Sequence, residues 1–508
     1  MPPGSARPTA SRTAVVMLML VVAAAVVRLV VLPVNEHLYG DAVARTEMAE
    51  RWARAPHLIT SFADGAAQFG PLHLYLIAAA LEVVNRNDAS RIVSFVFGVL
   101  TVVPLYAVTR RYFDGRAAVW ACLGFALWGL HIQASTTGGS EAVALCLMWT
   151  AFAAFARGLD DRRILSFLAA AVALNLAGAT RYDAWMYVPL MALVPPLAWT
   201  DDRAAGLRLG LVFLVACLPF PVFWMIGNQA ALGDALYPLT FIDAFHRTWA
   251  ESVGPGWPRW WLRAQGIGFW PAMAFVTLTP GVAALGITGM VIAWRRHPAT
   301  RWLSLAALVP VLYYAARTTI LFDFVPLGRF TVVQLSLLLP FVLTGFRWYE
   351  ARCGALRARR LAIATVVLAV VVPVGLGLFT LRSSSTAATV LRPISPVSRN
   401  PPALMDAADY IRTEIVDRGA TLAIDSDATY LDLQVGFFAR LTDAAARMRW
   451  PGFRERVEQA PPAFVVLFDN GLLAHEPWVV LEGHTLVLAG STYREVAGIA
   501  APVRIFAR

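Results

Sequence analysis

Long apolar runs separated by short polar stretches dominate the first three quarters of the chain. An α-helix needs about 20 mostly apolar residues to cross the hydrocarbon core of a bilayer. The runs predict transmembrane helices at about 14–34, 91–108, 117–132, 141–156, 164–179, 184–199, 207–226, 269–293, 301–316, 328–346 and 361–381. We therefore expect an α-helical polytopic membrane protein with about eleven transmembrane helices, forming a transmembrane module over residues 1–381.

A further apolar run, from Pro71 to Val84, is too short to count as a span. At 1.5 Å per residue it covers only ~21 Å, whereas the hydrocarbon core is ~30 Å thick. The polar stretch from Arg45 to Trp52 can also form a helix that lies on the membrane surface. Both segments are predicted as interfacial helices of the first outer loop.

Positive charge comes from arginine alone, since the sequence has a net charge of +10 and contains no lysine. The arginines gather in short loops between apolar runs, a pattern typical of cytoplasmic loops. The clusters are Arg110/Arg111/Arg116, Arg157/Arg162/Arg163, Arg203/Arg208, Arg295/Arg296/Arg301 and Arg347/Arg352/Arg357/Arg359/Arg360. This pattern predicts a multi-pass protein of the inner (plasma) membrane with a cytoplasmic N-terminus and an extracytoplasmic C-terminal domain. It also argues against nucleic-acid binding.

Composition agrees with a membrane protein, because 58% of residues are hydrophobic and only 15% are charged. Soluble domains carry roughly 25% charged residues, so that class is excluded. The four cysteines are Cys122, Cys146, Cys217 and Cys353, and their spacing matches neither a disulfide framework nor a metal site. We expect no metal and no cofactor.

The last quarter of the chain differs in kind. Residues 382–402 are rich in Ser, Thr and Pro and are predicted as a linker, followed by a small extracytoplasmic α/β domain over 403–508. Apolar residues at helical spacing predict a helix over Pro401–Gly419. Strands are predicted at Leu422–Ile424, Phe464–Phe468, Thr485–Leu488 and Val503–Phe506.

Several polar side chains fall at the outer ends of predicted helices or in outer loops, where a membrane enzyme meets a lipid headgroup. They are Asp41, Arg45, His73, Glu141, Arg181, Asp183 and Arg329. A carboxylate there can take a proton from an acceptor hydroxyl, and arginines can stabilise a leaving phosphate.

Each of these residues also has a plain structural interpretation. Asp41 can cap a helix or lie in a solvated turn, and Glu141 can be held by the dipole of the helix that it opens. Arg181 and Asp183 can pair with each other. Arg329 can extend to the membrane interface or bind a phosphate.

The layout over about residues 10–380 resembles the GT-C class of integral membrane glycosyltransferases, which includes protein O-mannosyltransferases (glycosyltransferase family 39) and the aminoarabinose transferase of lipid A. Asp41 matches their catalytic Asp in the first outer loop, although Ala42 stands where many members have a second acidic residue. The segments that carry the rest of the resemblance are Phe69–Tyr75, the basic turn Arg110–Arg116, Glu141 and Gly328-Arg329-Phe330.

The resemblance implies a polyprenyl-phosphate monosaccharide as donor, an extracytoplasmic lipid, glycan or protein as acceptor, and inversion at the anomeric carbon. Asp41 would be the general base. The substrate-binding residues would be Arg45, His73, Glu141, Arg181, Asp183 and Arg329. Two other functions stay open: a transporter or lipid flippase, and a non-catalytic anchor for envelope assembly. An enzyme of this class gathers polar residues at one membrane face, whereas a transporter gathers them near the midplane.

Overall fold

The computed structural model of the protein describes residues 10–37, 40–253, 256–383, 385–427, 430–442 and 444–508. The chain forms two compact units. The helical unit comprises Met1–Asn35 and Met48–Ser398, and the sheet unit comprises Glu36–Glu47 and Arg399–Arg508.

Helices make up most of the chain before the sheet. They are α1 (Ala10–Val31), α2 (Gly40–Arg54), α3 (Pro71–Leu81), α4 (Arg86–Leu100), α5 (Val102–Tyr112), α6 (Gly115–Ala126), α7 (Gly129–Thr136), α8 (Ser140–Asp161), α9 (Ile164–Gly178), α10 (Tyr187–Ala198), α11 (Arg203–Ala216), α12 (Pro219–Leu232), α13 (Tyr237–Ser252), α14 (Trp257–Thr277), α15 (Pro280–Arg296), α16 (Arg301–Ala315), α17 (Val332–Ser336), α18 (Val342–Cys353), α19 (Ala355–Arg382) and α20 (Thr386–Leu391).

A multi-pass membrane protein is confirmed, although the count of eleven spans stays a prediction. Within the described residues, 6 helical segments are long and apolar enough to cross a membrane, or up to 9 if each of three bent helix pairs is one span. The six are Ser11–Val31, Arg86–Tyr112, Ser140–Asp161, Arg203–Leu232, Pro298–Leu321 and Ala355–Arg382. The run after Pro71 forms the short helix α3, as predicted, and α9 is also shorter than a full span.

Three predicted straight spans are bent instead. The pair α6 and α7 is bent by 60°, α14 and α15 by 114°, and the helical segments Gly328–Ser336 and Leu339–Cys353 by 41°. Proline explains the last two bends, because Pro280 begins α15 and Pro340 is the second residue of the segment after the third break. A proline lacks the amide N–H of a helix interior and disfavours helical backbone in the residue before it.

The first helix combines a surface suited to lipid with one buried charge. Large apolar side chains on α1, such as Leu18 and Val30, are exposed, as expected where lipid tails surround a span. Arg28 is fully buried, and its Nε donates to Ser135 Oγ at 3.2 Å while its Nη2 lies 2.8 Å from His131 Nδ1. A buried charge needs hydrogen-bond partners. Here these two partners of Arg28 lie on α7, so the bonds connect α1 to α7.

Ion pairs connect arginines at the end of the bundle where α8 terminates. Arg111 bonds to Asp160 and Asp161, the last residues of α8. Arg347 bonds to Asp114 at 2.6 Å. The predicted basic loops therefore meet at one end of the bundle, and the N-terminus of α8 lies at the other.

The sheet unit is a mixed seven-stranded sheet between helices. Its elements are α21 (Pro402–Tyr410), α22 (Leu431–Phe438), α23 (Phe453–Gln459), β1 (Leu422–Ile424), β2 (Ala446–Arg447), β3 (Phe464–Phe468), β4 (Val479–Glu482), β5 (Thr485–Leu488), β6 (Ser491–Glu495) and β7 (Val503–Ala507). The strand order is β2-β1-β3-β7-β6-β5-β4, with β1 parallel to β2 and β3 and the other pairs antiparallel.

Alternating side chains bury both faces of the sheet, as the period of two in a strand requires. Leu422 and Ile424 pack with α21 on one face, whereas Ala423 packs with α23 on the other. The four predicted strands and the predicted helix after Pro401 are confirmed; the helix continues past α21 as wider π-helical turns over Ile411–Val416. The strands β2, β4 and β6 were not predicted.

Candidate active site

An ion-pair cluster around the buried Glu141 lies where α8 begins. Arg181 Nη1 donates to Glu141 Oε1 at 2.7 Å, and Arg181 Nε donates to Asp183 Oδ1 at 3.2 Å. Arg329 Nη1 lies 3.9 Å from the same Glu141 oxygen. We name these four residues (Glu141, Arg181, Asp183 and Arg329) the Glu141 cluster. Four of the seven predicted site residues therefore meet at one place.

Local structure explains why these residues converge. Glu141 lies in the first turn of α8, where the helix dipole favours a carboxylate. The helix α9 packs along α8, and Gly158 allows this because a Cβ there would lie 3.0 Å from the Phe167 ring. The chain then leaves α9 and reaches Arg181 beside the N-terminus of α8.

The loop after α9 is also held by the start of α3. The Leu72 amide donates to the Ala179 carbonyl at 3.0 Å. A Cβ at Gly70 would lie only 2.2 Å from that carbonyl oxygen, so the contact requires glycine. His73, in the first turn of α3, is fully buried.

The cluster is electrostatically close to neutral, with two carboxylates facing two guanidinium groups. Burial alone lowers the pKa of Arg181, but the adjacent Asp183 and Glu141 outweigh it and raise that pKa above its usual value. Arg181 therefore keeps its charge in the cluster. The Arg329 side chain is 23% exposed, compared with 13% for Arg181. Arg329 is thus the more accessible cation.

Aromatic rings line the cluster, and most of them could not be predicted from the sequence. The Arg181 and Arg329 guanidinium carbons lie 5.8 and 5.7 Å from the centre of the Phe330 ring. Phe330 in turn packs on Tyr314 and Phe324, at 6.0 and 5.2 Å between ring centres. Such rings provide a surface for a sugar and attract cations to their faces.

A second arginine network adjoins these rings. Arg317 donates to Asp323 at 2.9 Å and to Asp243 at 3.0 Å, and its guanidinium lies over Phe324. His246 accepts the Val325 amide at Nδ1. Burial, aided by Arg317, lowers the pKa of His246 to about 4, so this imidazole is neutral near pH 7. This network was not predicted from the sequence. The one feature that could have indicated it is Arg317, which follows the predicted span 301–316 directly.

Asp41 and Arg45 belong to the sheet unit and lie in the first turns of α2. Asp41 is half-buried and Arg45 is buried. The two residues before Gly40 in the predicted Asp41 motif, Leu38 and Tyr39, lie outside the described residues. The predicted helix over Arg45–Trp52 is confirmed as part of α2.

A family comparison supports the resemblance seen in the sequence. The family model for dolichyl-phosphate-mannose-protein mannosyltransferases matches residues 68–225. This range contains Glu141, Arg181 and Asp183. None of the curated proteins matches the chain.

Solved structures with similar folds include ArnT and an archaeal oligosaccharyltransferase. ArnT from Cupriavidus metallidurans, solved bound to undecaprenyl phosphate, has 15% identity and a TM-score of 0.63, over 98% of both chains. The oligosaccharyltransferase AglB from Archaeoglobus fulgidus, solved with an inhibitory peptide and a dolichol-phosphate, has 15% identity and a TM-score of 0.51, over 89% of this chain and 69% of that one. The resemblance to the GT-C class of integral membrane glycosyltransferases is thereby confirmed, and the chain has the fold of that class.

Proposed function

We propose that the protein is a membrane glycosyltransferase that moves a sugar from a polyprenyl-phosphate donor to an extracytoplasmic lipid, glycan or protein acceptor. The observation that carries this proposal is the Glu141 cluster, a buried carboxylate with three partly buried charges around it, at one end of apolar helices in a GT-C fold. Buried ionisable residues at membrane depth are costly, so they indicate function. ArnT and AglB, which share this fold, were solved with polyprenyl phosphates bound.

The distribution of charge favours an enzyme over the transporter. Glu141, Arg181 and Arg329 lie at the end of the bundle opposite the Arg111–Asp160 pair. The Arg317 network adds further charges beside the same aromatic rings. A transporter is expected to gather such groups near the midplane instead.

In the proposed reaction, the acceptor hydroxyl attacks the anomeric carbon while Asp41 takes the hydroxyl proton. A new C–O bond forms to the acceptor, and the bond between the anomeric carbon and the phosphate oxygen breaks. Polyprenyl phosphate leaves with the bonding electron pair, and Arg329 stabilises its charge by charge-assisted hydrogen bonds. Displacement from the opposite face inverts the anomeric centre. Arg181, already paired with two carboxylates, holds Glu141 and Asp183 in place.

Replacing the proposed base tests this mechanism. Asp41→Asn keeps the shape of the side chain but removes its basicity, so we expect sugar transfer to be abolished while expression and thermal stability stay near wild type. Transfer is measured in membranes supplied with labelled polyprenyl-phosphate hexoses and pentoses, followed by identification of the labelled product.

The matched control is Asp406→Asn, which makes the same change of charge on an exposed carboxylate of the sheet unit. We expect this variant to transfer sugar at the wild-type rate. Undiminished transfer by Asp41→Asn would rule out Asp41 as the base.

A further inference from the structure

The segment that carries Asp41 packs within the sheet unit, together with residues from the far end of the chain. Glu36 accepts the Asn400 amide at 2.8 Å, and the His37 ring lies 5.2 Å from the Phe437 ring. A Cβ at Gly40 would lie 2.5 Å from Cβ of Tyr430, so the backbone here touches that side chain directly. The start of α2 is thus built into the C-terminal fold.

One buried ion pair holds the other end of this segment. Arg447 Nη1 and Nη2 donate to the two carboxylate oxygens of Glu47, at 3.0 and 3.3 Å. The two side chains are only 6% and 12% exposed. This two-pronged geometry fixes orientation as well as distance.

Arg447 is itself held from several sides. It lies in β2, paired with Ile424 of β1, and its Nη2 also donates to the Leu441 carbonyl at 3.1 Å. Its guanidinium carbon lies 4.8 Å from the centre of the Trp450 ring. The guanidinium is therefore held by the sheet unit through contacts that do not involve Glu47.

Arg447 acts on α2 at Glu47, between one and two turns after Asp41. Glu47 follows Asp41 along α2 by about 9 Å of helix rise, at 1.5 Å per residue. Tyr430 contacts the helix before Asp41 and Arg447 holds it after Asp41. Fixing both ends sets the rotation and position of the turn that presents the carboxylate.

We infer that the sheet unit is a positioning element for the reaction, and that Arg447, through Glu47, is a positioning residue for Asp41. This inference rests on the proposed role of Asp41 as base. Misplacing a reacting group by about 1 Å costs on the order of 100-fold in rate, so loosening α2 is sufficient to slow transfer.

The test compares Arg447→Met with Arg504→Met in the full-length protein. Both variants break an Arg–Glu pair in the sheet unit, but Arg504 pairs with Glu495 on β6, whereas Arg447 pairs with Glu47. Hydrogen–deuterium exchange of residues 40–54 reports the order of α2, and steady-state transfer gives kcat and the donor KM.

We expect Arg447→Met to speed exchange in α2 and to lower kcat by about 100-fold with the donor KM unchanged. Arg504→Met should match wild type in both measurements. Glu47→Gln removes the charge of the pair with an isosteric side chain, and we expect it too to speed exchange in α2 and to lower kcat. This variant keeps the inference testable if Arg447→Met does not fold. Replacing both partners, Glu47→Met with Arg447→Met, removes the unpaired buried charge and should restore protection of α2.

The outcomes separate this inference from the proposed function. Unchanged α2 exchange in Arg447→Met and Glu47→Gln overturns the anchoring. Faster exchange with wild-type kcat also overturns the inference, while loss of transfer in Asp41→Asn would still support the proposed function. If Asp41→Asn transfers normally, the proposed base is wrong, and the exchange data alone then decide whether Arg447 anchors α2.

Discussion

Two arginines meet the same oxygen of Glu141, but they are held very differently. Arg181 makes short bonds to Glu141 and Asp183, whereas Arg329 lies 3.9 Å from Glu141 and is more exposed. Arg181, which bonds to the buried Glu141 and to the half-buried Asp183, is expected to contribute mainly to structure. Arg329 has the larger exposed fraction and the longer distance to Glu141, so we expect it to be the arginine that binds a phosphate.

Methionine substitutions should separate these roles. Arg181→Met leaves the buried Glu141 without its 2.7 Å partner, so we expect a loss of stability of about 3–5 kcal/mol. Arg329→Met should cost less stability than Arg181→Met and raise the donor KM. Thermal unfolding in detergent and donor titration provide the two measurements. Equal loss of stability in both variants would contradict this division of roles.

At the scale of elements, α3 and the end of α9 depend on one close backbone contact. The Leu72 amide bonds to the Ala179 carbonyl, and Gly70 leaves no room for a side chain beside it. Because Arg181 follows Ala179 by two residues, this contact also sets the position of the Glu141 cluster. The short helix after Pro71 therefore supports the site from outside the spans.

Adding one methyl group tests that support. In Gly70→Ala the new Cβ would meet a carbonyl oxygen at 2.2 Å, and we expect the free energy of unfolding to fall by about 1–3 kcal/mol, with reduced transfer. Gly115→Ala is the control, since a Cβ at this exposed start of α6 meets nothing within 4 Å. Equal unfolding temperatures for the two variants would show that the backbone at the start of α3 can move to admit a methyl group without loss of stability.

The sequence predicted elements well where a single local rule decides them. Apolar length identified a helical membrane protein, and short strand-like runs identified the strands Phe464–Phe468 and Val503–Ala507. Local rules fail at the bend before Pro280, since an apolar run looks the same whether straight or bent. The strand β2 has only two residues, too few for any alternation to be seen.

Some residues of the candidate site could be predicted from local sequence, and others could not. Glu141, Arg181 and Arg329 could be predicted because polar residues at the ends of apolar runs are conspicuous. Tyr314 and Phe324 could not, because an aromatic residue in or beside a span is ordinary. Neither could Arg447, since its partner Glu47 lies far away in the sequence.

At the scale of the whole molecule, the positions of the arginines predict the orientation in the membrane. Basic loops gather at the end of the bundle where α8 terminates, and the Glu141 cluster lies at the end where it begins. The positive-inside rule then predicts that the first end is cytoplasmic and the second extracytoplasmic.

Labelling of single cysteines tests this orientation. Gly115→Cys and Ser252→Cys place thiols at exposed positions on predicted opposite sides. Three native cysteines are buried, namely Cys122, Cys146 and Cys217. Replacing the half-buried Cys353 by Ser therefore keeps the labelling of native cysteines low. We expect an impermeant maleimide added to intact cells to label position 252 and to spare position 115. Labelling of position 115 but not of position 252 would show that the predicted orientation is inverted.

Residues 36–47 pack with the C-terminal part of the chain, and this has a consequence for biosynthesis. Glu47 and Arg447 are separated by 400 residues. At about 5–20 residues per second, the ribosome finishes the partner roughly 20–80 s after the segment has emerged. A chain that stops before residue 399 can still insert its spans, but it lacks every C-terminal partner of residues 36–47. On the inference that Arg447 positions Asp41, we expect sugar transfer only by chains whose translation has continued through the sheet.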